Sequence, residues 1–194
     1  RAVNGLNQAV EARDNVLIYF AGHGVLSESG VRLANSDQRG YWLPVNAEPD
    51  QDTHWVDNWW ITDHLARNPA RRIVVVADSC YAGLFSTDTG VPLTGELTLS
   101  RAEIDKRLTR RTRYVLSSGD VRPVAAPEDG GHSRFARAFI DVLEQNAGLL
   151  TTTEVYGKVF ERLAGAAGGL GLAATSGDSI NRLPELRPIR PAGH

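Results

Sequence analysis

The sequence is poor in cysteine, lysine and methionine, and each shortage excludes something. A single cysteine among 194 residues cannot form a disulfide within the chain, so a reducing compartment such as the cytoplasm fits. Methionine is absent, so we expect a fragment or a processed form that begins away from its start codon. Of the 21 basic residues all but Lys106 and Lys158 are arginines, which together with abundant Ala and Gly is typical of a GC-rich bacterial genome.

Further absences concern binding partners. The formal net charge of −2 gives no electrostatic reason to expect nucleic acid or an anionic membrane as a partner. No apolar run approaches the roughly 20 residues of a membrane-spanning helix. The histidines His54, His64, His132 and His194 form no metal-binding pattern, and the loop after His23 lacks a dense acidic cluster. We therefore predict no metal and no cofactor.

What the sequence does contain is a series of short apolar runs rich in β-branched residues. The clearest strand is predicted at 73–77, with others at 16–21 and 113–118 and a short one at 41–45. With 42% hydrophobic residues, the chain can bury a core as one domain over 1–194.

Amphipathic segments alternate with these runs. Helices are predicted over 2–13, 62–68, 100–111, 133–147 and from 153 onward. Thr62 and Ser133 are the expected N-caps of the second and fourth helices. The inward side of the fourth is predicted to carry Phe135, Phe139, Ile140 and Leu143, and the tail after residue 165 to be irregular. Strands that alternate with helices predict an α/β domain with a largely parallel sheet.

Two reactive side chains follow two of the predicted strands. His23 stands two residues past the run 16–21, and Cys80 three residues past the run 73–77. Ligand sites in parallel sheets lie beyond the carboxyl ends of the strands, so neighbouring strands would bring both side chains to one edge. A thiol has an ordinary pKa of about 8.5, and a nearby imidazole makes it a better nucleophile at neutral pH. Small residues beside both leave backbone N–H groups accessible to an oxyanion.

The motifs "YFAGHG" and "VVVADSCYAG" together resemble those of the caspase-type cysteine peptidases, in particular the bacterial metacaspase or orthocaspase branch. The spacing of 57 positions from His23 to Cys80 is close to the caspase separation of about 50. Later stretches, including "YVLSSGD" and "PELRPIRPAGH", extend the resemblance over nearly the whole chain.

The resemblance implies a caspase-like (caspase-hemoglobinase) α/β/α sandwich with a mostly parallel central sheet. It implies His23 as general base and acid, Cys80 as nucleophile, and the backbone N–H groups of Gly24 and Cys80 as the oxyanion hole. The resemblance also implies an acyl-enzyme mechanism with no metal in the chemical step. Metacaspases often carry serine two residues before the histidine, whereas Ala21 stands there in this chain.

The resemblance also divides the domain. Residues 1–82 correspond to a large-subunit-like part with the dyad, 83–112 to a linker, and 113–194 to a small-subunit-like part. Relative to the family, we expect the first strand and helix and the final segment to be missing. The implied partners are protein or peptide substrates, with further domains or chains of a larger system. The implied setting is bacterial cell death, stress or defence.

Asp78 and Asp120 are the candidates for substrate recognition. Asp78 is two residues before Cys80, so on an extended chain its carboxylate shares a face with the thiol. The resemblance implies that it receives an Arg or Lys side chain of the substrate; alternatively, it only satisfies backbone donors at a turn. Asp120 follows the strand at 113–118 and either lines the same pocket or is an exposed turn residue.

Two other interpretations of the dyad stay open. His23 is structural in a glycine-rich segment, or Cys80 is an inert buried thiol. In that case the chain is a catalytically silent interaction module with a caspase fold. Our prediction is a cysteine endopeptidase that cleaves after basic residues.

Overall fold

The computed structural model describes residues 2–28, 38–48, 51–79, 100–102, 105, 109–118, 131–168 and 185–188. The helices described over their whole length are α1 (Ala2–Ala9), α2 (Asn58–Arg67), α3 (Arg134–Glu144) and α4 (Thr152–Gly168), with a 3-10 helix at Asp52–His54. The strands are β1 (Asn15–Glu28), β2 (Gln38–Leu43), β3 (Val56–Asp57), β4 (Arg72–Ser79), β5 (Thr112–Ser117) and β6 (Glu185–Pro188).

The strands form one sheet in the order β3-β2-β1-β4-β5-β6. The central strands β1, β4 and β5 run parallel to one another. Antiparallel strands continue the sheet on both sides, β2 and β3 beyond β1, and β6 beyond β5. The predicted α/β class with a mostly parallel central sheet is confirmed.

Strand β4 contributes alternate residues to two cores, one on each face of the sheet. The first core lies against α2 and includes Ile61, Leu65, Ile73 and Val75. The second lies against α3 and α4 and includes Val76, Leu116, Phe139 and Val159. Each such buried side chain contributes about 1.5–3 kcal/mol to stability. Helices thus cover both faces of the sheet, as an α/β/α sandwich requires.

The hydrogen bonds at the helix N-termini confirm one predicted N-cap and contradict another. The Ser133 Oγ accepts a hydrogen bond from the Ala136 N–H at 2.9 Å, which confirms Ser133 as the N-cap of α3. The prediction of Thr62 as an N-cap is wrong, because α2 already begins at Asn58 and Asp57 caps it by accepting from the Trp59 N–H at 2.7 Å. Thr62 is buried inside α2, where its hydroxyl donates to the Asn58 carbonyl.

Other differences in the helices have local causes. Leu143 is 45% exposed rather than inward, and Val142 takes the buried position near the end of α3. The described residues of the predicted helix at 100–111 are helical at 101–102 and 105, but 109–110 form a turn, so the helix ends earlier than predicted. Thr151 and Glu154 form a reciprocal capping box at the start of α4.

Two strands differ from the sequence-based expectation. β1 does not end at residue 21 but continues to Glu28, because its second half pairs with β2. The tail predicted to be irregular contains β6, which pairs with β5. The predicted linker at 83–112 falls mostly on residues outside those described, so the proposed division of the domain stays a prediction.

Arg113 at the start of β5 ties that strand to the end of α2. Its guanidinium donates to the carbonyls of Leu65, Asn68 and Ala70 at 2.7–3.0 Å. Arg111 donates to the Asn68 carbonyl as well, at 2.7 Å. Carbonyls at a helix C-terminus lack partners within the helix, so these arginines stabilise the end of α2.

Candidate active site

His23 lies where β1 changes its partner strand. The last pair of β1 with β4 is Gly22 with Ser79, and the first pair of β1 with β2 is His23 with Leu43. The imidazole therefore projects from the carboxyl end of the parallel part of the sheet, where ligand sites in such sheets are found. Its side chain is exposed.

A packed aromatic pair supports this part of β1. The Phe20 ring stacks on the buried Trp42 of β2, with centroids 4.1 Å apart and planes 7° apart. A Cβ at Gly22 would lie 3.0 Å from the Phe20 ring, closer than side chains normally approach. Glycine next to His23 therefore allows the ring to keep its stacked position beneath the strand.

Of the other residues predicted for the chemical step, Gly24 lies within the described ranges. Gly24 lies on β1, partly buried and opposite Trp42. Cys80 and Asp120 lie outside the described residues. The assignments of the dyad, of the oxyanion hole and of Asp120 therefore stay predictions.

Asp78 is the penultimate residue of β4 and sits beside β1, in register with Ala21. Its Oδ2 accepts a hydrogen bond from the Ser133 Oγ at 2.5 Å. The same Ser133 Oγ accepts the Ala136 N–H as the N-cap of α3. The partly buried carboxylate thus faces the N-terminal end of α3, where the helix dipole favours a negative charge.

Tyr19 is the second hydroxyl at Asp78. Burial, then the Asp78 charge and a hydrogen bond to Asp78, raise the pKa of Tyr19 to about 12. The tyrosine therefore stays protonated near neutral pH and donates its proton to the carboxylate. Its ring lies 6.1 Å from the Phe139 ring of α3, centroid to centroid.

Tyr19 was not among the residues predicted for the site, and Ser133 was predicted only as a helix cap. A signal for Tyr19 was present, since it lies two residues before Ala21 on a strand and so shares its face. No signal in the sequence connects Ser133 to Asp78, because 55 residues separate them.

Two buried hydroxyls lie close to Asp78 in the chain or across the sheet. Ser79 follows it directly, and the Ser118 N–H donates to the Ala77 carbonyl just before it. Neither the Ser79 nor the Ser118 Oγ has a hydrogen-bond partner among the described residues. Leaving a buried hydroxyl without a partner costs about 1–3 kcal/mol, so these two groups mark a polar part of the sheet edge beside Asp78.

The described residues contain neither a metal-binding cluster nor a membrane-spanning helix. Among the described residues, no three His, Cys, Asp or Glu side chains are grouped so that they could hold a metal ion. None of the described helices has the length and apolar character needed to cross a bilayer.

Comparison with known proteins identifies the family. The family model of the caspase domain matches residues 1–181 of the sequence, so the chain belongs to this family. A crystal structure of a protein from Geobacter sulfurreducens is similar in fold, with a TM-score of 0.54 and 9% sequence identity over 96% of this chain and 71% of that one. No curated protein matches the chain. The family is one of cysteine peptidases, so the class of function it supports is hydrolysis of peptide bonds in protein substrates.

Proposed function

We propose that this chain is a cysteine endopeptidase of the metacaspase or orthocaspase type that cleaves after arginine or lysine. Cys80 is the nucleophile and His23 the general base and acid. Bacterial cell death, stress or defence is the proposed setting. The observation that supports the dyad is the last pair between β1 and β4, which joins Gly22 to Ser79. His23 directly follows Gly22 in the chain, and Cys80 directly follows Ser79.

The chemical step follows from these roles. His23 takes the thiol proton of Cys80, and the thiolate attacks the carbonyl carbon of the scissile bond. The N–H groups of Gly24 and Cys80 stabilise the oxyanion that forms. His23 then gives its proton to the leaving amine, and water hydrolyses the thioester with His23 again as base.

The preference for a basic residue rests on Asp78. It is a partly buried carboxylate at the carboxyl edge of the sheet. Among the described residues, its hydrogen bonds come from neutral hydroxyls, which do not cancel its negative charge. A guanidinium matches a carboxylate with two parallel, charge-assisted hydrogen bonds, so arginine is favoured over lysine.

A fluorogenic peptide assay tests the dyad. Wild-type protein should hydrolyse peptides with arginine before the scissile bond, whereas Cys80→Ala and His23→Ala should each lose activity by roughly 1,000-fold or more. The double variant should be no worse than either single one, because the two side chains act as a unit. Iodoacetamide should abolish the activity, and EDTA should not.

His54→Ala is the matched control, since it removes an exposed histidine of the 3-10 helix and should leave the rate unchanged. Full activity in folded Cys80→Ala protein would refute the mechanism. A folded wild-type protein that cleaves no peptide in the panel would instead favour the catalytically silent interaction module.

A further inference from the structure

The Asp78 carboxylate is held by hydroxyls from two separate elements. Tyr19 belongs to β1, and Ser133 precedes α3. The Ser133 Oγ needs only its lone pairs to cap α3, so its proton is available and goes to Asp78 Oδ2 at 2.5 Å. Capping alone therefore does not explain why Ser133 contacts the carboxylate.

The two hydroxyls leave part of the carboxylate unused. An ionised carboxylate offers about four lone-pair positions. Ser133 and Tyr19 each occupy one of them. With these two donors the described residues leave two positions, which is the number that a guanidinium fills when it binds a carboxylate in bidentate fashion.

No cation is paired with Asp78 in the part of the chain that the structure describes. The ion pairs found there are Arg39 with Asp57, Arg67 with Asp63, and Arg101 with Asp105. A charged group removed from water is costly unless a charge of opposite sign compensates it. Among the described residues, Asp78 is therefore oriented by neutral donors and has no paired cation.

We propose that Tyr19 and Ser133 are positioning residues that set specificity: their hydroxyls orient Asp78 so that its remaining lone pairs accept the guanidinium of a substrate arginine. This inference rests on the proposed function for its substrate. Ala21, which stands in register with Asp78, has no hydroxyl, so the donors come from Tyr19 on the same strand and from Ser133, the residue that caps α3.

The direct test uses agmatine, a small guanidinium compound, and Cys80→Ala protein, so that binding is measured without turnover. NMR titration should give an affinity that falls about 3- to 10-fold in Tyr19→Phe, which corresponds to one hydrogen bond. Ser133→Gly should weaken binding to a similar extent, while glycine keeps most of the capping free energy. Ser133→Thr retains the hydroxyl and should bind agmatine as the parent protein does.

Matched controls separate positioning from general damage. Tyr114→Phe removes a hydroxyl from β5 near the opposite end of the sheet, and Thr151→Gly weakens the cap of α4. Both should bind agmatine like the parent protein. In protein with Cys80 intact, Tyr19→Phe should also lower the ratio of kcat/KM for arginine peptides to that for citrulline peptides, whose side chain has the same shape without the charge.

The outcomes distinguish this inference from the proposed function. Unchanged agmatine affinity in both Tyr19→Phe and Ser133→Gly overturns the inference, as does a parent protein that does not bind agmatine. Agmatine binding that weakens as expected in a protein that hydrolyses no peptide supports the inference and refutes the peptidase. If Ser133→Gly fails to fold, Tyr19→Phe and Ser133→Thr still decide.

Discussion

At the scale of single residues, Asp78 combines two properties that a recognition group needs. It is partly buried, so a contact with it is stronger than in open water, and it is fixed by neutral hydroxyl donors. A purely structural carboxylate at this place would need only the same hydroxyls. A recognition role needs the negative charge, whereas a structural role needs only the acceptor oxygens. A substitution that removes the charge but keeps the shape therefore distinguishes the two.

Asp78→Asn makes that distinction. The amide oxygen can still accept from Ser133 and Tyr19, so the fold should persist and iodoacetamide should still alkylate Cys80. Loss of charge-assisted hydrogen bonds worth about 1.5–3 kcal/mol should lower kcat/KM on arginine peptides roughly 10- to 100-fold. Steady-state kinetics on arginine and aspartate peptides measure this. Faster cleavage after aspartate than after arginine by the wild type would show that the pocket is wrongly assigned.

Tyr19 gives a prediction that does not depend on activity. Its pKa rises from 10.0 to about 12 in the folded protein, so the folded state holds this proton more tightly than the unfolded state does. The resulting stabilisation is complete below pH 10 and is lost as the pH rises from 10 to about 12. The free energy of unfolding should therefore fall more steeply over this range in the wild type than in Tyr19→Phe.

Urea unfolding at several pH values provides the measurement. Burial, and next the charge of Asp57, also raise the pKa of Tyr41, but Tyr41 is present in both proteins and its effect cancels in the comparison. Parallel curves for the two proteins between pH 10 and 12 would mean that Tyr19 does not donate to Asp78.

At the scale of elements, two arginines stabilise the junction between α2 and β5, and Arg113 makes most of the contacts. Burial, and then the neighbouring Arg111, lower the pKa of Arg113, which is a cost that its carbonyl partners offset. Arg113→Met should keep the packing of the aliphatic part but leave the Leu65 and Ala70 carbonyls without this donor. We expect a loss of about 2–3 kcal/mol in the free energy of unfolding.

Arg110→Met is the control for this junction, because Arg110 is exposed in the preceding turn. It should change stability by less than about 0.5 kcal/mol. Denaturant titration of both variants makes the comparison. Equal losses in the two would show that the carbonyl contacts of Arg113 contribute no net stability.

At the scale of the whole molecule, the elements predicted best are those whose own apolar residues indicate that they are buried. The run 73–77 is apolar throughout because β4 places Val76 in one core and Val75 in the other. The same pattern marked β5 and the first half of β1. Ser133 was identified as a cap because capping is a contact within four residues of the chain.

What the sequence could not predict depends on distant partners. β1 continues past residue 21 because β2 pairs with it, and residues 185–188 form β6 because they pair with the edge of β5. Neither segment has a pattern that reveals its pairing. The same holds for the site: the positions of His23 and Asp78 at strand ends followed from local runs, whereas the contact of Asp78 with Ser133 spans 55 residues.

The partner change within β1 has a mechanical consequence. Eight residue pairs, from Asn15 with Arg72 to Gly22 with Ser79, bind the first half of β1 to β4, and the ladder to β2 starts at His23. Strand β2 is held in turn by Trp42, which belongs to the buried core and stacks on Phe20. The two ladders therefore meet at His23 and fix its backbone from both directions, so the imidazole can turn about its own side-chain bonds but cannot shift without breaking one ladder or disturbing the core.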